Sequence, residues 1–77
     1  MTITVKYFGL LAEVTECDTE AISFSSKTIS EFLEVLFEKY PNLRNKDFQV
    51  AQHQELVGLD SIITGHEIAL LPPFAGG

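Results

Sequence analysis

The residues of this sequence best suited to chemistry are its last six, Pro72-Pro73-Phe74-Ala75-Gly76-Gly77. A carboxylate is a poor electrophile until ATP converts it to an acyl adenylate, after which a sulfur or amine nucleophile takes the acyl group. On Gly77 the carbonyl has no side chain beside it, and Gly76-Gly77 lack the Cβ atoms that would bar passage through a narrow channel. Upstream, the apolar run Ile68-Ala69-Leu70-Leu71 meets Pro72-Pro73 with no intervening turn. Proline fixes φ and favours extended geometry, so the pair keeps the segment from folding back. The expectation is a body over residues 1–71 and an extended arm over 72–77 that presents a carboxylate to two active sites in turn. The alternative is a frayed terminus. A terminal Gly-Gly arises by chance in roughly 0.5% of chains at ordinary glycine usage, and Leu-Leu-Pro-Pro before it makes the signal far more specific.

No other group in the chain carries comparable chemistry. Cys17 sits between Glu16 and Asp18, whose charges disfavour a thiolate, and it reads as a bystander. His53 and His66 have no cysteine or second histidine at metal-ligand spacing, so no metal is expected. Asp60 and Glu67 are both carboxylates, but nothing marks a pocket between them, and surface charge is their default role. Nucleophile elbows, phosphate-cradling glycine loops and basic-aromatic stripes are all missing. The chain is therefore not expected to be an enzyme or to hold a cofactor.

Eleven acidic against five basic residues give a net charge of −6. That charge opposes nucleic acid and anionic membranes and favours a partner with a basic groove. No stretch is long enough to span a bilayer, and Met1-Thr2-Ile3-Thr4 lacks the regions of a signal peptide, so a cytoplasmic location is expected. The single cysteine fits a reducing compartment. With 77 residues, 45% of them hydrophobic, the chain can build one modest core.

The elements that must hold the arm follow from periodicity. Residues 2–8 alternate, with Ile3, Val5 and Tyr7 on one face, which predicts a half-buried strand. Phe8 falls on the polar face, where it is either covered by the next loop or offered to a partner. Gly9 breaks the strand, and residues 10–14 predict a short turn folding apolar groups under the sheet edge. Residues 15–20 read as a surface connection, and Ile22 and Phe24 face inward on a second strand, antiparallel to the first.

Thr28-Ile29-Ser30-Glu31 matches a capping box. Behind it Ile29, Phe32, Leu33, Leu36, Phe37 and Tyr40 form the apolar stripe of a helix that Pro41 ends. Glu31, Glu34 and Glu38 lie on its solvated side. Residues 42–47 predict a loop, 48–51 a strand, 52–55 a polar turn, 56–57 a short strand and 58–65 one helical turn. Glu67 to Leu71 has apolar residues on both faces, as a central strand does. One helix and one sheet make a two-layer α+β domain whose other sheet face stays open. On that face Phe8 and Leu71 are the candidate partner surface.

The run from Asp60 to Gly77, with Gly65, an apolar strand, Pro72-Pro73 and Gly76-Gly77 in order, closely resembles the C-terminal signature of the sulfur-carrier small subunit of molybdopterin synthase. That family is ubiquitin-like, with a β-grasp fold in which a mixed sheet is covered on one face by one main helix. Residues 5–13, Val-Lys-Tyr-Phe-Gly-Leu-Leu-Ala-Glu, also look like its first strand and turn. His66 stands where the family more often has an acidic residue, and 50–52 lack its usual asparagine.

The resemblance implies that a ubiquitin-activating-type enzyme adenylates Gly77, using ATP, and that a persulfide donor supplies sulfur for a thiocarboxylate. The tail then enters the large, catalytic subunit within a heterotetramer, where sulfur passes to a pyranopterin precursor of the molybdenum cofactor. In this picture Gly77 carries the sulfur, Gly76 and Ala75 thread the channel, and Pro72, Pro73 and Phe74 aim and seat the arm. A related carrier of the thiamine type, a modifier forming isopeptide bonds, and a plain interaction module remain the alternatives.

Overall fold

Strand β1 spans Thr2–Tyr7 because its side chains alternate as a half-buried strand requires: Ile3, Val5 and Tyr7 are buried while Thr2 and Thr4 are exposed. The computed structural model describes residues 2–25 and 27–73. After β1 come helix α1 (Leu10–Thr15), strand β2 (Thr19–Ser23), helix α2 (Ile29–Lys39), a 3-10 turn (Pro41–Asn45), and strands β3 (Gln49–Gln52), β4 (Glu55–Val57) and β5 (Glu67–Leu71). The five strands form one mixed sheet in the order β2-β1-β5-β3-β4. Among the described residues only the β1–β5 pair is parallel; β2 runs antiparallel to β1, and β3 antiparallel to both β5 and β4. With α2 over one face, this is the expected two-layer β-grasp.

Helix α2 begins where the sequence places it. Glu31 N–H donates to Thr28 Oγ1 at 3.3 Å, and Glu31 Oε1 accepts from the N–H groups of Thr28 at 3.0 Å and Lys27 at 2.9 Å. The exchange occupies N–H groups that a first helical turn leaves without partners. Those backbone bonds hold the Glu31 carboxyl below its ordinary range. Ile29, Phe32, Leu33 and Leu36 point into the core, while Phe37 and Tyr40 are only partly buried against it. Phe32 is fully enclosed and meets Phe24 edge to face, ring centres 5.1 Å apart. Arg44 stacks over Phe37 at 4.8 Å and pairs with Glu34 at 3.2 Å.

A polar network joins three elements at the core's edge. Tyr7 hydroxyl donates to Glu20 Oε1 at 2.7 Å, and Lys39 Nζ donates to Glu20 Oε2 at 2.7 Å. Burial, with the hydrogen bond to Glu20 and its charge, pushes the Tyr7 hydroxyl well above its ordinary range. Burial acts to raise Glu20 as well, but hydrogen bonds from Lys39, Tyr7 and Tyr40 outweigh it and keep the carboxyl low.

Four local expectations differ from the structure. Residues 10–15 form a true helix rather than a turn, with Leu11 buried beneath it. Its Thr15 is buried too, because the hydroxyl bonds the Leu11 carbonyl at 3.2 Å, and Thr19 and Glu20 already belong to β2. Residues 41–45 are 3-10 helix, anchored by fully buried Leu43. The helical turn expected over 58–65 is instead a tight turn, with Ser61 N–H on Gly58 O at 3.2 Å, followed by an isolated bridge from Ile62 to Thr28. Its carbonyls are claimed from outside: Ile29 and Ser30 N–H donate to Ser61 and Leu59, and buried Gln52 bonds Ile62 O and Thr64 N–H. Long-range partners of this kind override local propensity.

Phe32→Ala removes the most enclosed aromatic of a small core. A loss of about 3–5 kcal/mol is expected, a large share of such a domain's stability, read from the urea midpoint. The depressed carboxyls give a second expectation. A group whose pKa is lowered on folding stabilises above its unfolded value, so that contribution disappears as pH falls through the folded one. Urea midpoints should therefore drop steeply below about pH 4. Glu31→Gln keeps the capping geometry without the titration, and its profile should be flatter on the acid side.

Candidate functional site

Pro72 and Pro73 follow a strand that is paired along both of its edges. On one side β5 pairs with β1, Val5 beside Ile68 and Tyr7 beside Leu70; on the other it pairs with β3, Val50 opposite Leu70 and Gln49 opposite Leu71. Further bonds extend the β1 ladder at both ends: Thr4 N–H donates to His66 O at 2.8 Å and Phe8 N–H to Leu70 O at 3.1 Å. Ile68 and Leu70 are fully buried below the sheet, while Ala69 and Leu71 stand on the open face. Pro72 has no N–H with which to continue the ladder, so the strand stops there. Pro72 is half-buried and Pro73 exposed. Together they line a hollow of about 300 Å³ with Leu10 and Leu11 of α1 and Asn45, Lys46 and Asp47. Phe74, Ala75, Gly76 and Gly77 lie outside the described residues.

The open face gathers both candidate partner residues. Phe8 and Leu71 line one shallow hollow of about 390 Å³ with Ala51, Ala69 and Leu56. Ala51 is the register partner of Ala69 and of Leu56, so three neighbouring strands contribute to one apolar strip. Two alanines make its floor low, while Phe8 and Leu56 rise at either side with 44% and 56% of their surface exposed. Lys6, His53, Gln54 and Glu67 form the polar rim. Lys6 and Glu67 are paired at 3.2 Å, yet both are well exposed, so the pair contributes little stability.

Leu56, Ala51 and Ala69 belong to this surface and are absent from the candidate residues read in sequence. No local pattern marks them; strand register alone brings Ala51 beside Ala69 and Leu56. A second apolar hollow, about 500 Å³, lies on the helix side between α2 and β3–β4, lined by Leu33, Phe37, Phe48, Val57 and Leu59 among others. Lys46 and Asp47 line both this hollow and the one beside Pro72 and Pro73.

The remaining candidates stay apart. Cys17 is half-buried, its thiol 3.7 Å from the Thr15 hydroxyl. His53 Nε2 lies 3.0 Å from Thr64 Oγ1, and His66 is exposed. No group of three His, Cys, Asp or Glu side chains able to hold a metal occurs among the described residues. Asp60 lies in the turn after β4, whereas Glu67 faces Lys6 on the open sheet. No helix among the described residues is long and apolar enough to cross a membrane.

The ThiS family model matches residues 5–77 of the chain. Among solved structures, SAMP1 from Haloferax volcanii is similar at 27% identity and a TM-score of 0.81, with 100% of each chain covered. A protein assigned as molybdopterin converting factor subunit 1 from Pyrococcus furiosus is similar at 17% identity and a TM-score of 0.86, over 96% of this chain and 99% of that one. A chain in the complex of subunits 1 and 2 of molybdopterin-converting factor from Helicobacter pylori 26695 is similar at 23% identity and a TM-score of 0.66, with both chains covered in full. The latter two likenesses bear on the fold.

Proposed function

The chain belongs to the ThiS family, and from that membership we propose that its Gly77 carboxylate carries sulfur for molybdopterin synthesis. At the coarser level it is a ubiquitin-like sulfur carrier or modifier with the β-grasp fold. The observation that carries the finer reading is the direct run of the central strand β5 into Pro72-Pro73, with Gly76-Gly77 just beyond.

The chemistry divides between this chain and its partners. A ubiquitin-activating-type enzyme joins the Gly77 carboxylate to the α-phosphate of ATP, releasing pyrophosphate. The terminal sulfur of a persulfide donor then displaces AMP to form an acyl disulfide, and a second thiol attacks the donor's sulfur of that S–S bond, releasing the thiocarboxylate and leaving a disulfide. The terminal glycine gives the incoming sulfur an unhindered carbonyl, and Gly76 with Ala75 lets the tail reach a recessed active site. Pro72, Pro73 and Phe74 aim the tail. The chain itself supplies no catalytic group; the large subunit does. The complex of subunits 1 and 2 from Helicobacter pylori supports a large-subunit partner. Docking through Phe8, Leu56 and Leu71 buries an apolar strip that costs little to desolvate, and a surface of net charge −6 steers toward a basic partner groove.

A second reading is favoured by one observation. The similarity to SAMP1 at 27% identity spans both chains completely, and a closely related structure is described as a small archaeal modifier protein. A modifier uses the same adenylate but ends as an isopeptide bond to lysine.

Intact mass after co-expression with an activating enzyme separates the two. Replacement of one terminal oxygen by sulfur is the expected result, whereas a ladder of lysine conjugates would point to the modifier. Deleting Gly77 should abolish the mass change while leaving the fold intact, and sulfur transfer by the truncated chain would sink the carrier reading. Leu56→Lys tests the docking strip, since lysine is well tolerated on an edge strand. Thermal stability should stay within about 0.5 kcal/mol, while affinity for the large subunit falls at least about tenfold, as expected when charge enters an apolar contact, by calorimetry.

A further inference from the structure

We propose that Gly9 is the stop against which Pro72 rests, so that a turn far upstream in sequence sets the direction in which the arm leaves the domain. The inference builds on the arm being the working part. Because β1 and β5 are parallel, the chain leaves both strands at the same end of the sheet, which brings the turn after β1 beside the root of the arm. Gly9 has φ 59° and ψ −133°, a conformation open to glycine and strained for other residues. A Cβ at this position would lie 2.8 Å from Pro72 Cγ, 3.8 Å from its Cδ and 4.0 Å from its Cβ. Carbon atoms in good contact stand about 3.5–4.0 Å apart, so the ring must retreat by about 1 Å to admit one methyl group.

The ring has little freedom to retreat. Leu71 is held in register opposite Gln49, and Phe8 N–H holds the Leu70 carbonyl at 3.1 Å. Beneath the prolines lie Leu10, Leu11 and the 45–47 segment. A proline ring is part of its own backbone and cannot rotate away, so displacement is passed into the arm. The missing Cβ of Gly9 therefore serves two ends at once. It permits the turn that starts α1, and it leaves the space that Pro72 fills.

The test is a double-mutant cycle on tail activation, measured as pyrophosphate exchange by a ubiquitin-activating-type enzyme. Gly9→Ala should slow exchange by about 10- to 100-fold, the scale of an ångström-sized misplacement of a reacting group, with the far-UV spectrum unchanged. Pro72→Ala removes Cγ and Cδ and leaves only the atom that would stand 4.0 Å away. In that background Gly9→Ala should change the rate by less than about threefold, since the two residues act through one contact. Equal losses in both backgrounds would assign the effect to backbone strain and overturn the stop, as would an unaltered rate in Gly9→Ala.

A second measurement does not depend on what the arm carries or on whether the variant folds. In the unsubstituted chain, a proton NOE between Gly9 Hα and Pro72 Hγ is expected, and its absence also overturns the proposal. An NOE in a chain that no activating enzyme accepts would support the stop while removing the sulfur-carrier reading.

Discussion

The structure depends on the backbone ladder that holds β5 on both sides. Every peptide group inside a sheet must find a partner, and a central strand finds one on each flank. Here the flanks are β1, reached across the whole chain in parallel, and β3, antiparallel. Ile68 and Leu70 then fill the core from the same strand, both fully buried. The strand is thus held on both flanks, and it is the one that leads into Pro72. Proline ends the ladder by removing the donor that would continue it. A rigid root and a sharp end to the pairing together give a terminal group a defined starting point.

Size forces the rest of the plan. A chain this short buries only about 60% of the surface its unfolded form exposes, and one helix can cover one face of a sheet. The covered face takes the large side chains: Ile3, Val5, Phe32, Leu36, Ile68 and Leu70 are all fully enclosed. The uncovered face is left with small or partly exposed ones. Ala51 and Ala69 keep its centre low, and Phe8 and Leu56 stand exposed at its sides. Phe8 and Leu56 on this face are the side chains that the domain's own core leaves exposed.

Much of this was legible in the sequence, because alternation and helical spacing report burial directly. The burial of Ile3, Val5 and Tyr7, the stripe from Ile29 to Leu36, and the Thr28–Glu31 box follow from patterns that a few neighbouring residues define. The central place of β5 was legible for the same reason, since both its faces are apolar. What escaped was set by partners distant in sequence. The 58–64 segment has turn residues and apolar ones that fit a helical turn, but its carbonyls serve the first turn of α2 and the amide of Gln52. Thr15 looks like a surface residue until its hydroxyl is seen bonding back to the Leu11 carbonyl of the helix it ends. Ala51 and Ala69 carry no pattern of their own, and only strand register reveals that they meet.

Gly9 belongs to the same class, for reasons that join fold to function. In the sequence it is a strand breaker, and the local rule is satisfied by that alone. The parallel pairing of β1 with β5 gives it a second neighbour, Pro72, that no local rule supplies. An antiparallel pairing would have put the end of β5 at the opposite edge of the sheet, with no turn beside it. The topology that makes the last strand central therefore also decides which loop lies under the arm. Stiffness from two prolines controls only how straight the arm runs; its angle has to come from a contact at its base. In this domain that contact is made by a residue without a side chain.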